Sequence, residues 1–128
     1  MPRKRTVLVD FDGVLHQYSG WTGPEPVGEP IPNARHACHI LAKEYNLVCF
    51  TTREPSYVVT WLARYGFPMM RVTSIKVPAH LQIDDRAIEF RGEWTDEFLR
   101  KVKEWRVYWE KGEEGPSSAP APSSQPHP

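Results

Sequence analysis

Asp10 and Asp12 stand two residues apart where the apolar run Val7-Leu8-Val9 meets Phe11, Gly13 and a turn. Two carboxylates that close repel each other and call for a cation. Asp-Gly after a strand is also an ordinary turn, so the pair gains weight only from residues further along the chain. Leu47-Val48-Cys49-Phe50 is a second apolar run, and it ends in Thr51, Thr52 and Arg53, which are donors where the first run supplies acceptors. Lys76 follows a third short run, and Leu81-Gln82-Ile83 leads into Asp84 and Asp85. Paired carboxylates, hydroxyls and fixed cations suit phosphoryl transfer, which demands positioning and charge neutralisation more than elaborate covalent chemistry. Carboxylates from Asp10 and from the Asp84–Asp85 pair are hard oxygen ligands, which select Mg²⁺ over zinc.

These residues imply their own scaffold. Val7-Leu8-Val9 and Leu47-Val48-Cys49 are continuous apolar stretches of strand length, the pattern of strands covered on both faces in a parallel sheet. In such sheets ligands bind beyond the carboxyl ends of the strands, where Asp10 and Thr51 fall. Gly13 to Pro32 holds four glycines and four prolines with no regular period, so it is a long flap carrying Tyr18 and Trp21. A helix is expected over 33–45, with Asn33 as N-cap, an apolar stripe of Ala34, Ala37, Ile40 and Leu41, and Asn46 as a left-handed stop. Pro55 opens a second helix, whose stripe of Val58, Trp61, Leu62 and Tyr65 runs until Gly66 and Pro68.

Short strands are expected over 70–74 and 80–84. The gap between them is too short for an ordinary parallel crossover of about a dozen residues, so the third strand is displaced or its connection compressed. Thr95 caps a last helix with Asp96 and Glu97 in its first turn, Lys111 in its last and Gly112 beyond. Its stripe of Phe98, Val102, Trp105 and Trp109 is expected to pack in the core.

The ordered set of Asp10 with Asp12, then Thr51, then Lys76, then Asp84 with Asp85, resembles the four motifs of the haloacid dehalogenase superfamily of phosphohydrolases. The resemblance spans Val7 to Arg86, and Ile83-Asp84-Asp85-Arg86 is similar to the corresponding stretch of that superfamily's deoxyribonucleotidases. It implies an α/β fold, a three-layer Rossmann-like sandwich with a mainly parallel sheet. It also implies that Asp10 attacks phosphorus and becomes an aspartyl phosphate, and that the Asp12 backbone carbonyl joins the metal ligands. On the deoxyribonucleotidase pattern Asp85 is the direct ligand and Asp84 lies behind it or binds Lys76.

The residues themselves suit the remaining roles. Asp12 can protonate the leaving oxygen and then activate water. Thr51 can donate to a phosphate oxygen, and Lys76 can neutralise it. Thr52 and Arg53 are placed to bind substrate; Arg53 either grips a phosphate edge or pairs with Glu54 or a distant acid. Arg86 receives no role. The expected activity is a Mg²⁺-dependent phosphomonoester hydrolase; the alternative within the same chemistry is a nucleotidase or polynucleotide-end phosphatase. A non-catalytic phospho-ligand or protein-binding module is the alternative of a different class, disfavoured because every motif residue is present. A receiver domain is disfavoured because its phosphorylated Asp ends a later strand than its acidic pair.

Many relatives in that superfamily carry an inserted cap domain, and neither gap between the motifs here can hold one. A capless site is open. That suits a macromolecular phosphate or closure by a neighbouring subunit in a homo-oligomer; alternatively Tyr18 and Trp21 stack on a base or sugar, or simply pack the flap on the body.

The chain has 128 residues, with sixteen basic and sixteen acidic side chains, so no global field favours nucleic acid or a membrane. One domain over 1–112 is expected, with a Pro, Ser and Ala-rich tail over 113–128 that cannot bury a core. Cys38 and Cys49 fall in apolar segments and are expected to pack as small hydrophobes in a reducing, cytoplasmic setting. No run approaches the ~18 apolar residues of a membrane span. His36 and His39 are expected on a solvated helix face, without the further ligands a zinc site needs.

Overall fold

The computed structural model describes residues 3–110. Lys111, Gly112 and the tail lie outside them, so those expectations are not addressed by the structure. Four strands form one sheet: β1 (Arg5–Asp10), β2 (Tyr45–Phe50), β3 (Arg71–Thr73) and β4 (Leu81–Ile83). All neighbours are parallel and the order is β3-β2-β1-β4. The helices are α1 (Ala34–Leu41), α2 (Pro55–Arg64) and α3 (Asp96–Glu104). The fold is therefore α/β with an all-parallel four-stranded sheet. No described helix is long and apolar enough to cross a membrane.

The two apolar runs become the central strands because each can be buried on both faces. Val7, Val9, Leu47 and Cys49 join Phe11, Leu15, Cys38, Val58, Trp61, Leu62 and Phe67 in one core. Leu8 and Val48 alternate to the opposite face, yet are 0 % and 3 % exposed. Each such side chain contributes about 1.5–3 kcal/mol on burial. Cys38 and Cys49 are both buried free thiols, as expected.

α2 matches its expected form, with Pro55 in its first turn and Val58, Trp61 and Leu62 buried. Its end is a Schellman motif: Phe67 N–H donates to Leu62 O and Gly66 N–H to Ala63 O, at 3.1 and 3.2 Å, with Gly66 at φ +74°.

α1 is shorter than expected and differently faced. It ends at Leu41 because the full length of β1 recruits Tyr45 and Asn46 as partners of Arg5 and Thr6; Asn46 is thus a strand residue and not a helix stop. Asn33 starts the helix by a left-handed turn, φ +70°, with no side-chain cap. Cys38 is buried and Ala34 and Leu41 pack beside it, whereas Ile40, expected in the stripe, is exposed.

The β3–β4 segment resolves the topological question. β3 and β4 sit on opposite edges of the sheet, and only Ser74 to His80 join them, without a helix. Thr73 bends the chain at once, its Oγ1 accepting from Ile75 N at 3.0 Å, and His80 N–H rejoins the sheet on Thr6 O at 2.8 Å.

α3 departs from expectation. Thr95 does cap it, Oγ1 accepting from Phe98 N at 3.0 Å, but no residue of the helix is buried. Phe98 meets Phe90 and Trp94 edge-on in a local aromatic cluster. The helix stops at Glu104, so Trp105 and Trp109 are not part of a helical stripe; Val107, beyond its end, is the buried residue instead.

Candidate active site

β1 and β4 bring three acids together. Val9 pairs with Ile83, so the residues next in line, Asp10 on one strand and Asp84 on its neighbour, emerge side by side at the carboxyl edge. One carboxylate oxygen each from Asp10, Asp84 and Asp85 lies within 4.8 Å of the others. The cost of that crowding falls on Asp10: burial first, then the charge of Asp84, a hydrogen bond shared with Asp85 and the charges of Asp85 and Asp12 push its pKa to about 9. Without a cation this carboxyl keeps its proton at neutral pH.

Each partner acid is held by its own contacts. Asp84 Oδ2 accepts from Gln82 Nε2 and Oδ1 from Arg86 N, both at 2.8 Å. Asp85 Oδ2 accepts from Trp109 Nε1 at 2.6 Å. Lys76, the alternative partner expected for Asp84, does not bind it. Gly13 is needed here twice over. Its φ is +86°, and a Cβ would run into Asp85 Oδ2 and come within 2.9 Å of Trp109 Nε1. Tyr108 closes the same corner, its hydroxyl donating to Gly13 O at 2.6 Å.

Asp12 is clamped by one residue far from it in sequence and one four positions on. Arg53 Nε donates to both of its oxygens, at 2.9 and 3.1 Å, and His16 Nδ1 lies 2.8 Å from Oδ1. Gly28 N–H donates to His16 Nε2 at 2.8 Å, so Nε2 is the acceptor and Nδ1 carries the proton. His16 is 2 % exposed, stacked on Phe11 at 5.1 Å and edge-on to Trp61 at 5.5 Å. Arg53 also ties down the flap: Nη1 donates to Gly23 O and Pro24 O at 2.9 and 2.8 Å, and Trp21 lies against the guanidinium at 4.8 Å. Of the two roles open to Arg53, pairing with a distant acid is the one found.

A cavity of about 240 Å³ opens over these acids, lined by Asp10, Asp12, Tyr18, Phe50, Thr51, Thr52, Asp84, Asp85 and Arg86. Thr51 is 3 % exposed and its Oγ1 accepts from Arg53 N at 3.0 Å, which leaves its hydroxyl proton to be donated. Thr52 is exposed at the rim. Tyr18 meets Trp109 edge-on at 5.0 Å, and burial followed by the Asp12 charge raises its pKa, so it stays a neutral phenol.

The motif residues Asp10, Asp12, Thr51, Asp84 and Asp85 thus line one cavity, together with Thr52 and Tyr18 of the expected substrate-binding residues. Lys76, Arg53 and Trp21 do not line it. Lys76 is exposed on the β3–β4 connection, carried off by the turn at Thr73. Sequence reasoning misses His16, Trp109 and Arg86. The Asp12–His16 spacing of four is a visible signal; Trp109 gives none, since its periodicity points to a helix.

No protein-family model matches the chain, and no curated protein matches it. Among solved structures, a conserved protein from Bacteroides thetaiotaomicron is similar, with 25 % identity, a TM-score of 0.55, and coverage of 83 % of this chain and 95 % of that one.

Proposed function

We propose that this chain is a Mg²⁺-dependent phosphomonoester hydrolase of the haloacid dehalogenase type, acting through an aspartyl phosphate. The observation that carries the reading is the meeting of Asp10, Asp84 and Asp85 within 4.8 Å, on the same cavity as the Thr51 hydroxyl. The finer fold reading, a capless Rossmann-like three-layer sandwich, goes with it; strand order β3-β2-β1-β4 with the acids at the carboxyl edge supports it.

The donor set fits the metal. Three carboxylates are hard oxygen ligands, and an Asp10 carboxyl pushed to about 9 is one whose ionisation waits on a positive charge. Asp10 and Asp85, which share a hydrogen bond, would hold the ion directly; Asp84, with both oxygens engaged, would sit behind them. Bound there, Mg²⁺ would neutralise the approach of a phosphate dianion to an anionic nucleophile.

Asp10 then attacks phosphorus in line, forming the acyl phosphate as the bond to the leaving oxygen breaks. Asp12, oriented by Arg53 and His16, must enter this step in its acid form and gives that proton to the leaving oxygen, becoming the carboxylate that takes one from water in the next step. Water, deprotonated by Asp12, cleaves the acyl phosphate and restores Asp10. Thr51 holds a phosphate oxygen by its free hydroxyl proton. Substrate is a phosphorylated small molecule or macromolecular end admitted past Tyr18.

Release of p-nitrophenol from p-nitrophenyl phosphate tests the reading. Turnover is expected with Mg²⁺, none in EDTA and recovery on adding Mg²⁺ back. Full activity in EDTA, or in Asp10→Asn, refutes it.

A further inference from the structure

We propose that Arg86 is the phosphate-binding cation of this site, in the position of charge that Lys76 was expected to fill; the inference rests on the hydrolase reading for its ligand. Four carboxylates, Asp10, Asp12, Asp84 and Asp85, line the cavity, and a phosphate entering it needs fixed positive charge. Arg53 cannot supply it. It is 3 % exposed, does not line the cavity, and spends its Nε and Nη1 donors on Asp12, Gly23 and Pro24. Lys76 lies on the exposed connection, also away from the cavity.

Arg86 alone among the described basic residues lines it. Two contacts aim the residue. Its backbone N–H is fixed on Asp84 Oδ1 at 2.8 Å, and its guanidinium lies 4.9 Å from the Trp109 ring centroid, a plate itself pinned by the Nε1 bond to Asp85. Among the described residues that guanidinium donates no hydrogen bond. Stacking uses the face of a guanidinium and leaves its edge N–H fork for a planar or tetrahedral oxyanion. In the strand order β2-β1-β4, Arg86 follows β4 and Thr51 follows β2, so the cation and the hydroxyl flank Asp10 of β1 from opposite sides.

The test compares Arg86→Gln, Arg86→Lys and Lys76→Ala with the full chain. Inorganic phosphate binding is read by calorimetry with Mg²⁺, Mg²⁺ binding without phosphate, and KM and kcat on p-nitrophenyl phosphate. Arg86→Gln is expected to weaken phosphate at least tenfold and raise KM similarly, with Mg²⁺ affinity within threefold of the unaltered chain. Arg86→Lys should recover part of the loss, since it keeps the charge without the fork, and Lys76→Ala should stay within twofold. Loss in Lys76→Ala with Arg86→Gln unchanged overturns the assignment, as does an Arg86→Gln whose Mg²⁺ affinity falls in parallel, which makes the residue a prop of the Asp84 turn. A chain that binds phosphate through Arg86 but hydrolyses no ester keeps this assignment and fails the hydrolase reading; one that binds no phosphate overturns it.

Discussion

The proton between His16 and Asp12 belongs to the imidazole: Nδ1 lies 2.8 Å from Asp12 Oδ1 while Nε2 accepts from Gly28 N–H at the same distance. A buried His held in one tautomer by a backbone amide orients its carboxylate partner and stabilises the charge that partner carries. Asp12 is therefore aimed from two sides, by this imidazole and by the Arg53 guanidinium, and neither residue lines the cavity. His16→Ala is expected to leave Gly28 N–H unsatisfied and to cost about 1–3 kcal/mol of stability. Turnover of an ester with a poor leaving group should fall further than that of an activated aryl ester; equal losses would show that His16 does not act through Asp12.

Asp10→Asn should abolish turnover of every ester, whereas Asp12→Asn should retain much more activity on p-nitrophenyl phosphate, whose leaving group needs no proton, than on an alkyl phosphate. Steady-state rates on the two substrates decide it. Covalent phosphate trapped by Asp10→Asn would remove Asp10 from the nucleophile's role.

The raised Asp10 pKa fixes the sign of a pH dependence. Asp10 keeps its proton when folded up to about pH 9, against an ordinary carboxyl value of 3.8, so between those values the folded state binds the extra proton. Metal-free stability accordingly falls as pH rises through that window. Asp10→Asn should flatten the slope and raise the metal-free Tm at pH 8 by at least about 4 °C, roughly 1 kcal/mol for a domain of this size. Mg²⁺ should stabilise the unaltered chain more at pH 8 than at pH 5. Melting curves that are parallel across pH with and without Asp10 contradict this account.

Arg53→Ala removes one partner of a largely buried ion pair, in which Nε is shared by both Asp12 oxygens, and is expected to cost about 3–5 kcal/mol. It also frees the carbonyls of Gly23 and Pro24, so limited proteolysis should cut first within 17–28. An unchanged cleavage pattern would mean that the backbone bonds joining Leu15 and Gln17 to Ile31 and Glu29 hold the flap by themselves.

Legibility in the sequence depends on the range of the interactions involved. Val7-Leu8-Val9 and Leu47-Val48-Cys49 announce buried strands because burial on both faces leaves no polar position. The acids past the end of the first run and the hydroxyls past the end of the second then report a site without any knowledge of partners. Arg53 offers donors, but its pairing with Asp12 spans 41 residues, and nothing local distinguishes a substrate-binding guanidinium from a structural one. Local pattern makes the first helix too long because its continuation, Tyr45-Asn46, is claimed by pairing with Arg5 and Thr6, a tertiary demand that overrides local propensity. For the last helix, the repeat of Phe98, Val102, Trp105 and Trp109 is periodic, yet Trp109 is drawn away by its bond to Asp85.

The parentage of the sheet constrains how the chain can fold. Val7 on β1 pairs with both Leu47 and Leu81, forty and seventy-four positions downstream, and no hairpin among the described strands seeds the pairing. Each ladder must close a long loop before any of its hydrogen bonds form, which is the topology of slow folding. During synthesis β1 emerges before its partners and waits, apolar and unpaired, on one edge until β2 has followed it out of the ribosome and on the other until β4 has. Over that interval the segment most exposed to wrong partners is the one that carries Asp10, so the same apolar run, Val7-Leu8-Val9, that seats this acid is also an aggregation hazard of the chain.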